Sequence, residues 1–191
     1  LFIAMDQEGG PVVRLANGAT VLPGNMALGA TRSRSLAFLA GRITGAELAA
    51  VGVNMNFAPV LDVNSNPQNP VIGVRSYGDE VGLVRELGAW YIRGLQSLGV
   101  VAVAKHFPGH GETMADSHSV LPTVNYDLKQ LKKIALPPFQ TAIISADLDA
   151  VMTAHVRYPS IDGVDAPPAT MSSRILSKIL RGDLEFQGLV I

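Results

Sequence analysis

Fourteen consecutive residues, Lys105–His118 (KHFPGHGETMADSH), hold Lys105, His106, His110, Glu112, Asp116 and His118, and three of the chain's four histidines fall among them. Within the stretch, Asp116-Ser117-His118 has the spacing of a dyad. In a local turn, a carboxylate two residues before a histidine accepts the ring N–H, orients the imidazole and raises its basicity. An imidazole held in this way donates a proton to a leaving group and takes one back from water. Two other chemistries compete. His106 and His110 are four apart and close to carboxylates, which would suit a metal if a helix put both rings on one face. Pro108-Gly109 lies between them and prevents that helix, so no metal is expected. Ser117 as a nucleophile would need an elbow such as GxSxG, which is missing. The plain alternative to all of these is a loop of surface histidines.

Other polar groups stand at similar places. Asp6 precedes Gln7-Glu8-Gly9-Gly10 at the end of an apolar run. Paired carboxylates and an amide facing a pocket would suit bidentate hydrogen bonds to sugar hydroxyls, although a cap or turn role explains the composition equally well. Arg75 follows a Pro/Gly-rich loop (NPVIGVRSYGD) and could clamp hydroxyls or a carboxylate, the alternative being a solvated surface arginine. Arg14 and Asp62 read as structural.

Parallel strands would position these groups. Leu1–Met5, Val53–Ala58, Val100–Ala104, Ala150–Thr153 and Leu189–Ile191 are short apolar runs of strand type. Between them lie segments of helical period. One covers residues 36–51, with Ser33 or Ser35 as cap and Gly52 as stop; another covers 80–98, with Gly99 as stop. A third opens at Asp127 and is expected to break at Pro137-Pro138, and a fourth is capped by Ser172. Strand–helix alternation implies parallel strands with helices outside. Four successive strand ends carry polar candidates: Asp6, Asp62, Lys105–His106 and His155. An open doubly wound sheet concentrates its site at one switch point, and no GxGxxG turn follows the first strand. The pattern therefore predicts a TIM-type (β/α)8 barrel. A complete one takes about 250 residues, so roughly five of the strands are expected here.

The chain has 191 residues, 48% of them hydrophobic, and a formal net charge of −1. That near-neutral balance gives no reason to expect a nucleic acid or an anionic membrane as partner. No run of eighteen apolar residues occurs, so no membrane span is expected. Cysteine is absent, which excludes disulfides and thiolate metal sites without assigning a compartment. Leu1 and Ile191 both lie inside apolar runs, and the expectation is a piece of a longer protein, residues 1–191 forming part of one barrel domain.

The stretch KHFPGHGETMADSH resembles the signature of glycoside hydrolase family 3, in its β-N-acetylglucosaminidase branch. DQEGG at Asp6–Gly10, NFAPVLDV at Asn56–Val63, IGVRSYGD at Ile72–Asp79 and VMTAHV at Val151–Val156 match in the same order. The resemblance implies a (β/α)8-type barrel that removes terminal β-linked N-acetylglucosamine with retention, without a cofactor, from peptidoglycan fragments or chitin-derived sugars. It implies that Asp6, Arg75, Lys105 and His106 bind sugar hydroxyls, and that His118 is the general acid/base with Asp116 as its partner. A histidine in this role avoids a second anion near a departing phosphate or carboxylate-bearing group. The loop bearing it is expected to move, bringing the acid to bound substrate. The resemblance puts the nucleophilic aspartate just past the last strand, beyond Ile191, so the 191 residues alone are expected to be inactive or nearly so. Pro11 stands where the family usually has arginine. The rival readings are a β-glucosidase or β-xylosidase of the same family, an inactive sugar-binding homologue, and a metal-dependent hydrolase on the same barrel.

Overall fold

The computed structural model describes all of residues 1–191. Five parallel strands make one sheet: β1 (Ala4–Met5), β2 (Met55–Asn56), β3 (Val101–Phe107), β4 (Ala150–Thr153) and β5 (Leu189–Val190). Their order in space is their order in the chain, with Met5 beside Asn56, Asn56 beside Ala102, Val103 beside Ala150 and Val151 beside Val190. A doubly wound sheet would reverse direction part-way. This one does not, so every connection runs the same way around, as in a barrel wall.

The helices follow from period and punctuation. α1 (Asn25–Thr31) leads into α2 (Arg34–Ala50), whose cap, Ser33, accepts the Leu36 N–H on its hydroxyl. α3 (Val81–Gln96) buries Val84, Leu87, Tyr91, Ile92 and Leu95 along one face. α2 packs on α3 and α3 on α5 (Leu136–Ala146), successive helices side by side on the same side of the sheet. The α2–α3 crossing is close because it uses glycine. A Cβ at Gly41 would lie 2.1 Å from the Tyr91 carbonyl oxygen, and one at Gly94 would lie 2.1 Å from that of Phe38.

Alternation along β3 separates the two faces of the sheet. Ala102 and Ala104 belong to the main core beneath the helices, whereas Val103 joins Met55 and Ala150 in a small cluster on the other face, with Phe57, Val101 and Met152 packed against it. That second face is the inside of the barrel wall. Its C-terminal rim is where the polar groups gather.

Three expectations need correction. β3 continues through Phe107 rather than stopping at Ala104, so Lys105 and His106 are strand residues; Pro108, which has no N–H to give the ladder, ends it. The two-residue spans of β1, β2 and β5 fall short of the expected runs, because a ladder extends only where a neighbour supplies partners. Pro137-Pro138 do not break their helix. α4 (Leu128–Gln130), opened by an Asp127–Gln130 capping box, widens into a π-helical turn at Leu131–Ala135. The two prolines then sit in the first turn of α5, where a missing N–H costs nothing. Near the C-terminus α6 (Pro159–Asp162) precedes a second wide helical segment, Arg174–Asp183, and the Ser172 hydroxyl accepts the Ile175 N–H at its start, as expected.

Candidate active site

A buried lysine, a half-buried arginine and the carboxylates that hold them form the floor. Lys105, on β3, places its Nζ 2.7 Å from Asp6 Oδ1 and 2.7 Å from Glu8 Oε1, both just past β1. Arg75 reaches the same Glu8 in a fork, Nε to Oε2 at 2.9 Å and Nη2 to Oε1 at 2.8 Å. The turn carrying Arg75 is fixed from outside: the Asn25 side chain donates to the Arg75 carbonyl, and Asn69 accepts the Val71 and Ile72 N–H groups. Burial pushes the Glu8 carboxyl up, but Arg75 and Lys105 outweigh it and hold it below the usual carboxylate value. Burial drives Arg75 down, and the carboxylates of Glu8, Asp62 and Asp6 together raise it above its ordinary value. With both Glu8 oxygens committed and only 2% of its side chain exposed, Glu8 is a counter-ion. Asp6, 36% exposed, is the carboxylate that faces the cavity.

Gln7 does not face the pocket as its setting suggested. It is buried, with its Oε1 accepting the Arg14 and Leu15 N–H groups and its Nε2 donating to the Leu15 carbonyl, so it staples the loop after β1. Arg14 lines the pocket edge beside that staple.

His106 presents the next polar edge. Its Nδ1 lies 2.7 Å from Oδ2 of Asp62, a wholly buried residue whose carboxylate also accepts the backbone N–H of His110 at 2.6 Å. Burial raises the Asp62 carboxyl; the charge and hydrogen bonds of His106, joined by His110, win and lower it. Asp62 is thus structural, as read, and its structural task is to aim His106. The Nε2 of that ring has no protein partner and the residue lines the pocket.

The dyad closes one side. Asp116 Oδ1 is 2.7 Å from His118 Nδ1 and also accepts the His118 backbone N–H at 2.8 Å, which makes the local turn that the spacing predicted. These two hydrogen bonds from His118 hold Asp116 below its ordinary value. The His118 side chain is 81% exposed at the pocket mouth, and its Nε2 is free. His110 plays a different part from either alternative proposed for it: it is neither a ligand nor a surface group. Its ring stacks edge-on to His106 at 5.7 Å, with Nδ1 2.8 Å from Thr113 Oγ1 and Nε2 3.0 Å from Ser117 Oγ.

Together Asp6, Arg75, Lys105, His106, His118 and the more peripheral His155 surround a cavity of about 450 Å³, with Phe57, Val71 and Met152 as apolar wall. That volume suits one sugar ring. The floor offers an anion, two cations and an imidazole to hydroxyls, and the mouth offers a proton. Asp116, like Gln7, does not line the cavity; it is joined to it through its hydrogen bond to His118. The parts that Glu8 and His110 play, a buried counter-ion and a buried hydrogen-bonded ring, were missed. Glycine beside each, Gly9 after Glu8 and Gly109 and Gly111 on either side of His110, was the available signal of a tightly turned backbone that carries a side chain inward.

The whole span, residues 1–191, matches the model of the glycosyl hydrolase family 3 N-terminal domain. The chain belongs to that family. Among solved structures, a family 3 β-N-acetylglucosaminidase from Paenibacillus sp. str. FPU-7 superposes with a TM-score of 0.96 at 54% identity, covering 100% of this chain and 36% of that one. NagZ from Neisseria gonorrhoeae, in complex with N-trifluoroacetyl-D-glucosamine, superposes with a TM-score of 0.91 at 38% identity over 100% of this chain and 57% of its own. β-Hexosaminidase A of Pseudoalteromonas piscicida is 41% identical over 100% of this chain and 34% of its own length. The family 3 chain described here therefore spans between a third and three-fifths of the relatives it matches. The barrel reading of the sequential sheet agrees with these superpositions.

Proposed function

We propose that this domain provides the sugar-binding floor and the acid/base of a retaining exo-β-N-acetylglucosaminidase acting on peptidoglycan fragments or chito-oligosaccharides. The observation that carries the reading is the His118–Asp116 pair at the mouth of a cavity floored by Asp6, Arg75, Lys105 and His106. Relatives described as β-hexosaminidases and β-N-acetylglucosaminidases support it.

In the first step a carboxylate following β5 in the complete enzyme attacks the anomeric carbon. The glycosidic C–O bond breaks, and the proton on His118 Nε2 passes to the departing oxygen. Asp116, anionic throughout, stabilises the imidazolium and fixes its ring so that Nε2 is the atom that faces the substrate. In the second step the neutral imidazole takes a proton from water as that water opens the glycosyl ester. Asp6 accepts hydroxyl protons at the non-reducing end, and Lys105 and Arg75 donate to hydroxyl oxygens there. With Asp6 and the Glu8 ion network closing the bottom of the cavity, the sugar enters by its non-reducing end, which supports exo action.

The test is a panel of 4-nitrophenyl glycosides on the complete enzyme, with the N-acetylglucosaminide expected to turn over fastest. Faster turnover of the glucoside or xyloside would overturn the reading in favour of a family 3 glucosidase or xylosidase, and no turnover of any would favour a sugar-binding homologue.

A further inference from the structure

The segment bearing the dyad is tied to the rest of the molecule at one point. From Met114 to Leu121 the backbone hydrogen bonds are internal, Ser119 and Val120 both donating to the Asp116 carbonyl, and the Asp116–His118 bonds are internal too. The single hydrogen bond that leaves the segment runs from Ser117 Oγ to His110 Nε2, 3.0 Å. On either side the chain is firmly held. Asn66 donates to the carbonyls of Glu112 and Thr113, Glu112 accepts from Ser65 and Tyr126, and beyond the segment Arg157 pairs with Pro122 and Val124. Met114, Val120 and Leu121 are exposed, and no residue of the segment belongs to the hydrophobic core.

The anchor itself is rigid. His110 is 1% exposed, its backbone N–H is given to Asp62, and its Nδ1 meets a Thr113 hydroxyl that also takes a hydrogen bond from Asn69. Burial holds its imidazole below the ordinary histidine value, so at neutral pH one ring nitrogen donates and the other accepts. Either assignment suits a hydroxyl, which does both.

We infer that His110 and Ser117 are positioning residues for the acid/base: the Ser117 hydroxyl, lodged on a buried imidazole, latches the dyad at the pocket mouth and sets the fraction of molecules in which His118 can reach the glycosidic oxygen. This rests on the acid role given to His118 above. Ser117 stands between Asp116 and His118 in the chain, so fixing it fixes both. Losing the latch lowers the competent fraction and with it the rate of protonation.

The experiment uses the complete enzyme, with N-acetylglucosaminides whose leaving groups range from 2,4-dinitrophenol to a second sugar, and compares Ser117→Ala, Ser117→Thr, His110→Gln and His118→Ala. In Ser117→Ala, kcat on the poor leaving group should fall about three- to tenfold, the range one ordering hydrogen bond controls, while the dinitrophenyl substrate changes less than about twofold. The melting temperature should be unchanged, and Ser117→Thr should retain the parent profile. In a Ser117→Ala/His110→Gln cycle the two losses should not add. A Ser117→Ala enzyme with the parent leaving-group dependence, or a faster one, overturns the latch while leaving the acid role standing if His118→Ala is still selective for poor leaving groups. Equal losses in His118→Ala on all substrates would remove the acid role and the latch together.

Discussion

Among the individual side chains, the decisive distinction is between carboxylates that face the cavity and carboxylates that hold the groups facing it. Glu8 is of the second kind, and its loss would leave Arg75 without a carboxylate and Lys105, whose side chain is 3% exposed, with Asp6 alone. Glu8→Gln should therefore destabilise the fold by about 3–5 kcal/mol, the cost of leaving a buried charge unpaired, measured by urea denaturation. Acid should act through the same groups. Glu8 and Asp62 both have folded-state values below their ordinary ones, so the unfolded chain binds more protons in the interval between, and their contribution is complete above about pH 5 and lost as pH falls through the lowered values. Urea midpoints between neutrality and pH 3 should fall below about pH 4, and Asp62→Asn should flatten that fall. The dyad was legible because its two members are sequence neighbours and a turn is enough to join them. The Glu8 network was not, because its partners are 67 and 97 positions away and only the fold brings them within 3 Å.

For the elements, the long amphipathic helices and the apolar strands were readable from period alone, and their ends from Ser33, Asp127, Gly52 and Gly99. What period cannot show is how closely two helices approach. Gly41 and Gly94 sit in helical stretches as if indifferent, yet each lies against a backbone carbonyl of the opposite helix. Gly94→Ala should force α2 and α3 apart and cost about 1–3 kcal/mol, seen as a lower melting temperature with kcat/KM on an aryl N-acetylglucosaminide nearly unchanged, since the crossing is remote from the rim. Gly111→Ala makes the opposite prediction. Its Cβ would lie 1.7 Å from the Val63 carbonyl oxygen, at the root of the dyad segment, so catalysis should fall well before stability does. The π-helical turn before α5 was hidden as well, because Pro137-Pro138 look like a break and act as a start.

For the molecule as a whole, the sequential order of strands follows from short connections between elements of alternating type, and that much the alternation of strand and helix announced. The placing of polar residues at four strand ends announced the rim. The part of His110 on that rim was not announced, since only the fold buries its ring between Thr113 and Ser117. One consequence of the sheet remains. β1 and β5 each have a neighbour on one side only, and beside them Leu1, Phe2, Ile3, Leu189 and Ile191 are exposed. Open parallel edges flanked by apolar side chains recruit further strands. Produced as 191 residues and nothing more, this polypeptide should elute as a concentration-dependent mixture of sizes, and lysines at positions 2 and 3 should shift it toward monomer. Light scattering coupled to size-exclusion chromatography would show whether the wall of a barrel, given no other strands, recruits its own copies.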